Sequence, residues 1–169
     1  QRTLLLTGAS RGIGHATVKH FNAAGWRVFT ASRQNWTEGC PWAEGELNHI
    51  HLDLEDIDEV RRSLPLIREK LGGRLDALVN NAGIYIGKPF TEHTAEDYAS
   101  VMNVNMAGFY HITQLAIQEM EKHSSGHEVS ITASIDQVAI SGVYSALAAL
   151  SKGGINAATK SLAIEYAKK

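Results

Sequence analysis

Apolar positions along the chain follow two periods in turn. Runs of strand length occupy residues 3–7, 27–32, 49–53, 77–81 and 128–132. Between most of them the spacing changes to three and four. Ile57, Val60, Leu64, Ile67 and Leu71 mark one face of a helix, and Pro65 inside that run is expected to kink or restart it. Ile13, Thr17, Phe21 and Ala24 give an earlier helix. Val101, Val104, Phe109, Ile112 and Leu115 belong to a longer pattern over about 95–120, and a last helix is expected over 145–166. Strands alternating with helices predict parallel pairing and right-handed crossovers, hence an α/β sheet covered on both faces in three layers. No internal repeat or low-complexity linker divides the chain, so residues 1–169 read as one domain.

One connection departs from this alternation. Residues 34–48 carry Gly39, Pro41 and Gly45 and predict a loop. Trp36 and Trp42 are expected to be partly buried loop aromatics, and Cys40 an ordinary thiol.

Composition narrows the class further. With 169 residues, 44% hydrophobic and 20% charged, the chain can bury a sizeable core. A net charge of −2 argues against nucleic acid or an anionic membrane as the main partner. A single cysteine excludes an internal disulfide and a Cys-cluster metal site, and it fits a reducing compartment. No apolar stretch approaches the roughly 18 residues of a membrane span. No leader of the secretory type is evident, so the expectation is a cytoplasmic protein.

The candidate chemistry begins directly after the first strand. Thr7-Gly8-Ala9-Ser10-Arg11-Gly12-Ile13-Gly14 leads into a helical pattern. Glycines at these positions let the turn be tight and let backbone N–H groups approach a pyrophosphate at a helix N-terminus. The spacing is Gly-x-x-x-Gly-x-Gly, which alone is a weak signal; its place at the first strand–helix junction strengthens it.

This turn, together with NNAG at residues 80–83, Asp53-Leu54 after the third strand, VNMAGFY around Asn105, and Ser151-Lys152 with the GGINAATKSLAIEYA that follows, resembles the short-chain dehydrogenase/reductase family. The resemblance covers essentially the whole chain. It implies a Rossmann-type doubly wound parallel sheet with strand order 3-2-1-4-5, binding NAD or NADP. It also implies a Ser–Tyr–Lys set, usually with an Asn, for hydride-transfer chemistry on a carbonyl or alcohol. Cofactor contacts are then expected from Gly8, Ser10, Arg11, Gly12, Ile13 and Gly14, from Asn81, Ala82 and Gly83, and from Lys152, with Asp53 and Leu54 at the adenine. Family members usually continue through two further strands and a mobile substrate-covering segment. This sequence stops at Lys169, so a C-terminally incomplete domain is expected.

An acid at the end of the second strand would favour NAD by accepting from the ribose 2′-OH. This strand ends Thr30-Ala31-Ser32-Arg33. A guanidinium at Arg33 can clamp a 2′-phosphate, with Arg11 assisting, so NADP is the preferred cofactor and NAD the alternative.

The catalytic positions depart from the family pattern. The general acid/base tyrosine stands four residues before the lysine in the family, and here that position is Ala148. Tyr144 lies eight residues before Lys152, roughly 12 Å along a continuous helix. It is read as a bystander unless the helix starts after it and the loop folds back. Ser134 is taken for the substrate-orienting serine, although strict register would place Ala133 there. Asn105 matches the family's helix asparagine, which supports the lysine, and Lys152 is expected to hold the nicotinamide ribose. The eight histidines are scattered and no ligand spacing appears, so no metal is expected. The family's long helices, here around 105–120 and 145–166, pair between subunits, which implies a homodimer or homotetramer. Three functions stay open: an NADP-dependent oxidoreductase with an altered proton donor, a nucleotide-binding or regulatory homologue that has lost catalysis, and an oligomer partner that binds no nucleotide.

Overall fold

The computed structural model describes residues 1–35, 45–123, 127–130 and 142–167. Trp36, Cys40, Trp42, Thr132, Ala133 and Ser134 lie outside the described residues.

Five strands form one parallel sheet: β1 (Thr3–Thr7), β2 (Arg27–Ser32), β3 (His49–His51), β4 (Ala77–Asn80) and β5 (His127–Ser130). Their order is β3-β2-β1-β4-β5, the order implied by the resemblance. Every residue of β1 is buried, and its side chains divide between two cores. Leu5 joins Phe29, Ile50 and Leu78 under Val60, Ile67, Ile112 and Leu115, whereas Leu4 and Leu6 join Val28 and Val79 under Val18. A strand alternating apolar side chains into two cores has both faces covered, as a parallel sheet requires.

The helices are α1 (Gly12–Ala23), α2 (Ile57–Leu71), α3 (Ala95–Met102), α4 (Gly108–Glu121) and α5 (Ala146–Tyr166). Pro65 does not restart α2, which runs unbroken. The proline stands on the exposed face, where water can replace the missing N–H donor. The long pattern over 95–120 is helical throughout but is not a single α-helix. A π-helical turn, Asn103–Ala107, joins α3 to α4. The third strand ends at His51 and not at residue 53, because Asp53 turns the chain away. Its carboxylate accepts the Glu55 N–H, and its own N–H donates to Glu59 Oε1. The fourth strand likewise ends one residue early, at Asn80, and the fifth starts one residue early, at His127.

The helix N-termini are not treated alike. Asp56 caps α2, and Thr94 with Asp97 forms a capping box on α3. At the start of α1, Arg11 makes no side-chain cap and the first turn holds no acid. The partial positive charge of that end is left to the loop side, where a ligand anion can meet it.

Candidate nucleotide site

The C-terminal ends of β1 and β4 part where the strand order reverses, and a cleft of about 690 Å³ opens there. A crevice at this switch point is where doubly wound sheets bind ligands. Its floor is the turn after β1. Gly8 adopts φ +71°, and its N–H donates to the Ala31 carbonyl at 2.9 Å. A Cβ on Gly8 would stand 2.8 Å from Ala82 Cα, and one on Gly14 would stand 2.2 Å from the Gly8 oxygen. Both positions therefore require glycine for close approach of backbone to backbone.

The segment after β4 is stitched to this turn. Asn81 Nδ2 donates to the carbonyls of Thr7 at 3.0 Å and Gly8 at 2.8 Å. Thr7 Oγ1 accepts in return from the Asn81 N–H at 3.2 Å and the Ala82 N–H at 3.1 Å. The glycine turn and the NNAG segment thus form one rigid edge of the cleft.

Around it the structure gathers most of the residues singled out from the sequence. Gly8, Ser10, Arg11, Gly12 and Ile13 line one side, Arg33 the rim, and Asp53 with Leu54 the far end. Asn81, Ala82 and Gly83 complete the wall. Gly14 does not line the cleft but lies buried beneath the turn. Ser32, Gln34, Ile84 and Val104 line it without having been singled out. They adjoin recognised motifs, and adjacency was the only available signal.

Lys152, on α5, does not itself line the cleft but lies against Gly83 of its wall. A Cβ on Gly83 would stand 2.9 Å from Lys152 Nζ and 3.4 Å from Asn105 Oδ1. Asn105, 1% exposed, sits in the π-helical turn. Its Oδ1 accepts the Ile84 N–H at 2.8 Å, and its Nδ2 donates to the Ile84 carbonyl and to Ser151 Oγ, both at 3.0 Å. Ser151 Oγ donates in turn to the Ala148 carbonyl at 2.9 Å. One asparagine thereby ties the segment after β4 to the turn of α5 that carries Lys152. An interrupted helix that aims a buried polar group at a cleft is a common use of a π turn.

Ala148 lies buried on α5, one turn before Lys152, and offers only a methyl group. Tyr144 precedes the first residue of α5, and its carbonyl accepts from Tyr85 Oη at 2.7 Å. Its phenol is more than half exposed.

Burial pushes the Lys152 ammonium below the ordinary lysine value of 10.5. Between the lowered value and 10.5 the folded chain has released a proton that the unfolded chain still holds, so stability rises with pH across that window. Lys152→Met is expected to flatten the rise. Denaturant titrations at a series of alkaline pH values check this, and an unchanged slope would contradict the burial of the charge.

Among the described residues, no three His, Cys, Asp or Glu side chains are grouped to hold a metal ion, and no helix is long and apolar enough to cross a membrane. Comparison with known proteins converges on one family. The short chain dehydrogenase family matches residues 2–169. Protein FixR of Bradyrhizobium diazoefficiens is 34% identical over 98% of this chain and 62% of its own length. A tropinone reductase homolog of Datura stramonium is 36% identical over 98% of this chain and 63% of its own. The chain therefore spans a little over three fifths of these curated relatives. Among solved structures, a Brucella ovis oxidoreductase of the short chain dehydrogenase/reductase family, in complex with a partially ordered NAD, superimposes with a TM-score of 0.88. It is 36% identical, over 99% of this chain and 78% of the other. ElxO with NADP bound gives a TM-score of 0.83 at 29% identity, over 99% and 68% of the two chains. With a family match along nearly its whole length and a reversal-point cleft floored by the glycine turn, the chain belongs to the short-chain dehydrogenase family.

Proposed function

We propose that this chain is a single nucleotide-binding domain that takes NADP(H) and serves an oxidoreductase moving hydride to or from a carbonyl or alcohol substrate. The observation that carries the reading is the cleft itself: an uncapped helix end and a glycine turn on one side, and Arg33 on the rim where an NAD-preferring site would hold an acid. The backbone N–H groups at the start of α1, with Ser10 and Arg11, suit the pyrophosphate. Arg33 suits the 2′-phosphate, Asp53 and Leu54 the adenine, and Asn81, Ala82 and Gly83 the nicotinamide half. NAD and NADP each occur in a solved relative, so the preference rests on Arg33, with Arg11 assisting.

When bound, the nicotinamide supplies or accepts the hydride. Lys152 would hold its ribose, with Asn105 and Ser151 fixing the helix turn from which the lysine extends, and Ser134 would orient the substrate. Ala148 cannot move a proton. In this reading the proton reaches the carbonyl oxygen from water or from a substrate hydroxyl. Two-fold pairing of copies through α4 and α5, which expose Tyr110, Leu150 and Ile164, belongs to the same proposal, as does a cytoplasmic setting. The second reading, a homologue that binds nucleotide without turnover, is favoured by Ala148 specifically.

NADPH is expected to bind at least tenfold tighter than NADH, about 1.4 kcal/mol, and Arg33→Ala to erase most of that gap. Titration followed by nicotinamide fluorescence measures both. Equal affinities in the parent protein would remove the Arg33 assignment, and no binding of either would leave the oligomer-partner reading. Turnover on a panel of carbonyl compounds separates the enzyme from the silent homologue.

A further inference from the structure

The segment that presents Arg33 to the cleft is held from behind by a histidine, His49, that the nucleotide reading above does not use. His49 opens β3 directly beside Thr30 of β2. Its Nδ1 stands 2.8 Å from Thr30 Oγ1, and its Nε2 stands 2.8 Å from the Gln34 carbonyl oxygen. A carbonyl only accepts, so Nε2 carries the proton. In the neutral ring Nδ1 is then the acceptor, and the Thr30 hydroxyl donates to it. Thr30 is 1% exposed and part of the sheet. The imidazole thus links a fixed point in β2 to the residue just past Arg33.

Gln34 is gripped a second time. Ser32 Oγ donates to the same carbonyl at 3.1 Å, closing a two-residue loop around Arg33. The Ser32 carbonyl in turn accepts the Leu52 N–H at 2.9 Å from the chain beyond β3. Ser32, Arg33 and Gln34 all line the cleft. Arg33 itself is exposed, and a long exposed side chain loses rotamer freedom when it clamps a phosphate. A backbone fixed on both sides narrows the directions it can take before the ligand arrives.

We propose that His49 is a specificity-positioning residue: by bridging Thr30 and the Gln34 carbonyl it holds the turn that aims Arg33 at the cofactor 2′-phosphate. The proposal rests on the NADP reading and goes beyond it. Burial lowers the His49 pKa, opposed by its hydrogen bond to Gln34 and helped by the electrostatic influence of His51 and Lys70. The shift favours the neutral ring, in which the Thr30 hydroxyl donates to Nδ1 and Nε2 donates to Gln34.

The test is the ratio of NADPH to NADH affinity in the whole chain, measured by fluorescence titration for five proteins: the parent, His49→Gln, His49→Asn, Arg33→Ala and the Arg33→Ala/His49→Asn double variant. Asparagine still meets the Thr30 hydroxyl but is too short for Gln34. Its ratio is expected to fall at least threefold through weaker NADPH binding, with NADH affinity unchanged. Glutamine carries an amide N–H out to the Nε2 position and should retain most of the ratio. In the Arg33→Ala background, His49→Asn should leave the ratio where it is. Equal weakening of both cofactors would mean a merely structural role and overturn the proposal. So would an unchanged ratio in His49→Asn when Arg33→Ala collapses it. Should Arg33→Ala leave the ratio untouched, the 2′-phosphate reading fails first and takes this inference with it.

Discussion

Alanine in place of Gly14 is expected to abolish NADPH binding and to destabilise the fold by about 2–5 kcal/mol. The added Cβ would stand 2.2 Å from the Gly8 oxygen and 2.5 Å from Asn81 Nδ2. A methyl group has no rotamer to escape through, so backbone must move. The turn after β1 then separates from the NNAG segment, and the Gly8 carbonyl loses its Asn81 partner. Gly12 provides the contrast. It adopts φ +57°, but nothing lies within 4 Å of its would-be Cβ. Gly12→Ala should cost only the backbone conformation, about 1–2 kcal/mol. Thermal denaturation and NADPH titration of the two variants settle the point, and equal losses in both would sink the packing account.

Ala148→Tyr is expected to raise reductase turnover on an activated ketone or quinone by roughly 10²-fold or more. The substitution sets a phenol one turn before Lys152 on the same helix face. The neighbouring ammonium stabilises phenolate and draws the tyrosine pKa down toward working pH. A pH–rate profile that gains a new limb would mark the added group. A variant that binds NADPH normally and shows no gain would put the silent-homologue reading ahead. Brisk turnover in the parent that disappears in Tyr144→Phe would give the proton to the loop before α5.

What could be read from residues alone divides along a physical line. Strands β1 and β2 matched their expected bounds because every β1 residue, and all but the first of β2, is buried, so no charged residue interrupts either run after Arg27. The glycine turn was legible because close backbone approach admits one residue type. Other features depend on neighbours far away in sequence. The π turn at Asn103–Ala107 was invisible, since the apolar spacing of Val101, Val104 and Phe109 fits a helix that simply continues. The hydrogen bonds that Asn105 makes from this turn reach Ile84 and Ser151, across 21 and 46 residues. Likewise His49 looked like one of several scattered histidines until pairing of β2 with β3 set its ring beside Thr30. Pro65 does not restart α2, because its missing N–H falls on the face that meets water, which a rule for helix interiors does not see.

The bonds joining Thr7 to Asn81 and Ala82 bridge 74 and 75 residues. A chain emerging from the ribosome has its entire glycine turn and α1 long before it has the other half of that grip. Closing so large a loop is slow and entropically costly, and β4 must dock on β1 first. The glycine turn therefore gains its second half only once Asn81 and Ala82 have emerged and β4 has docked. Loosening β4 later in the protein's life dismantles the support of the glycine turn and the central sheet in a single event, so a nucleotide bound there would act as a lock on the whole domain and not on its first helix alone.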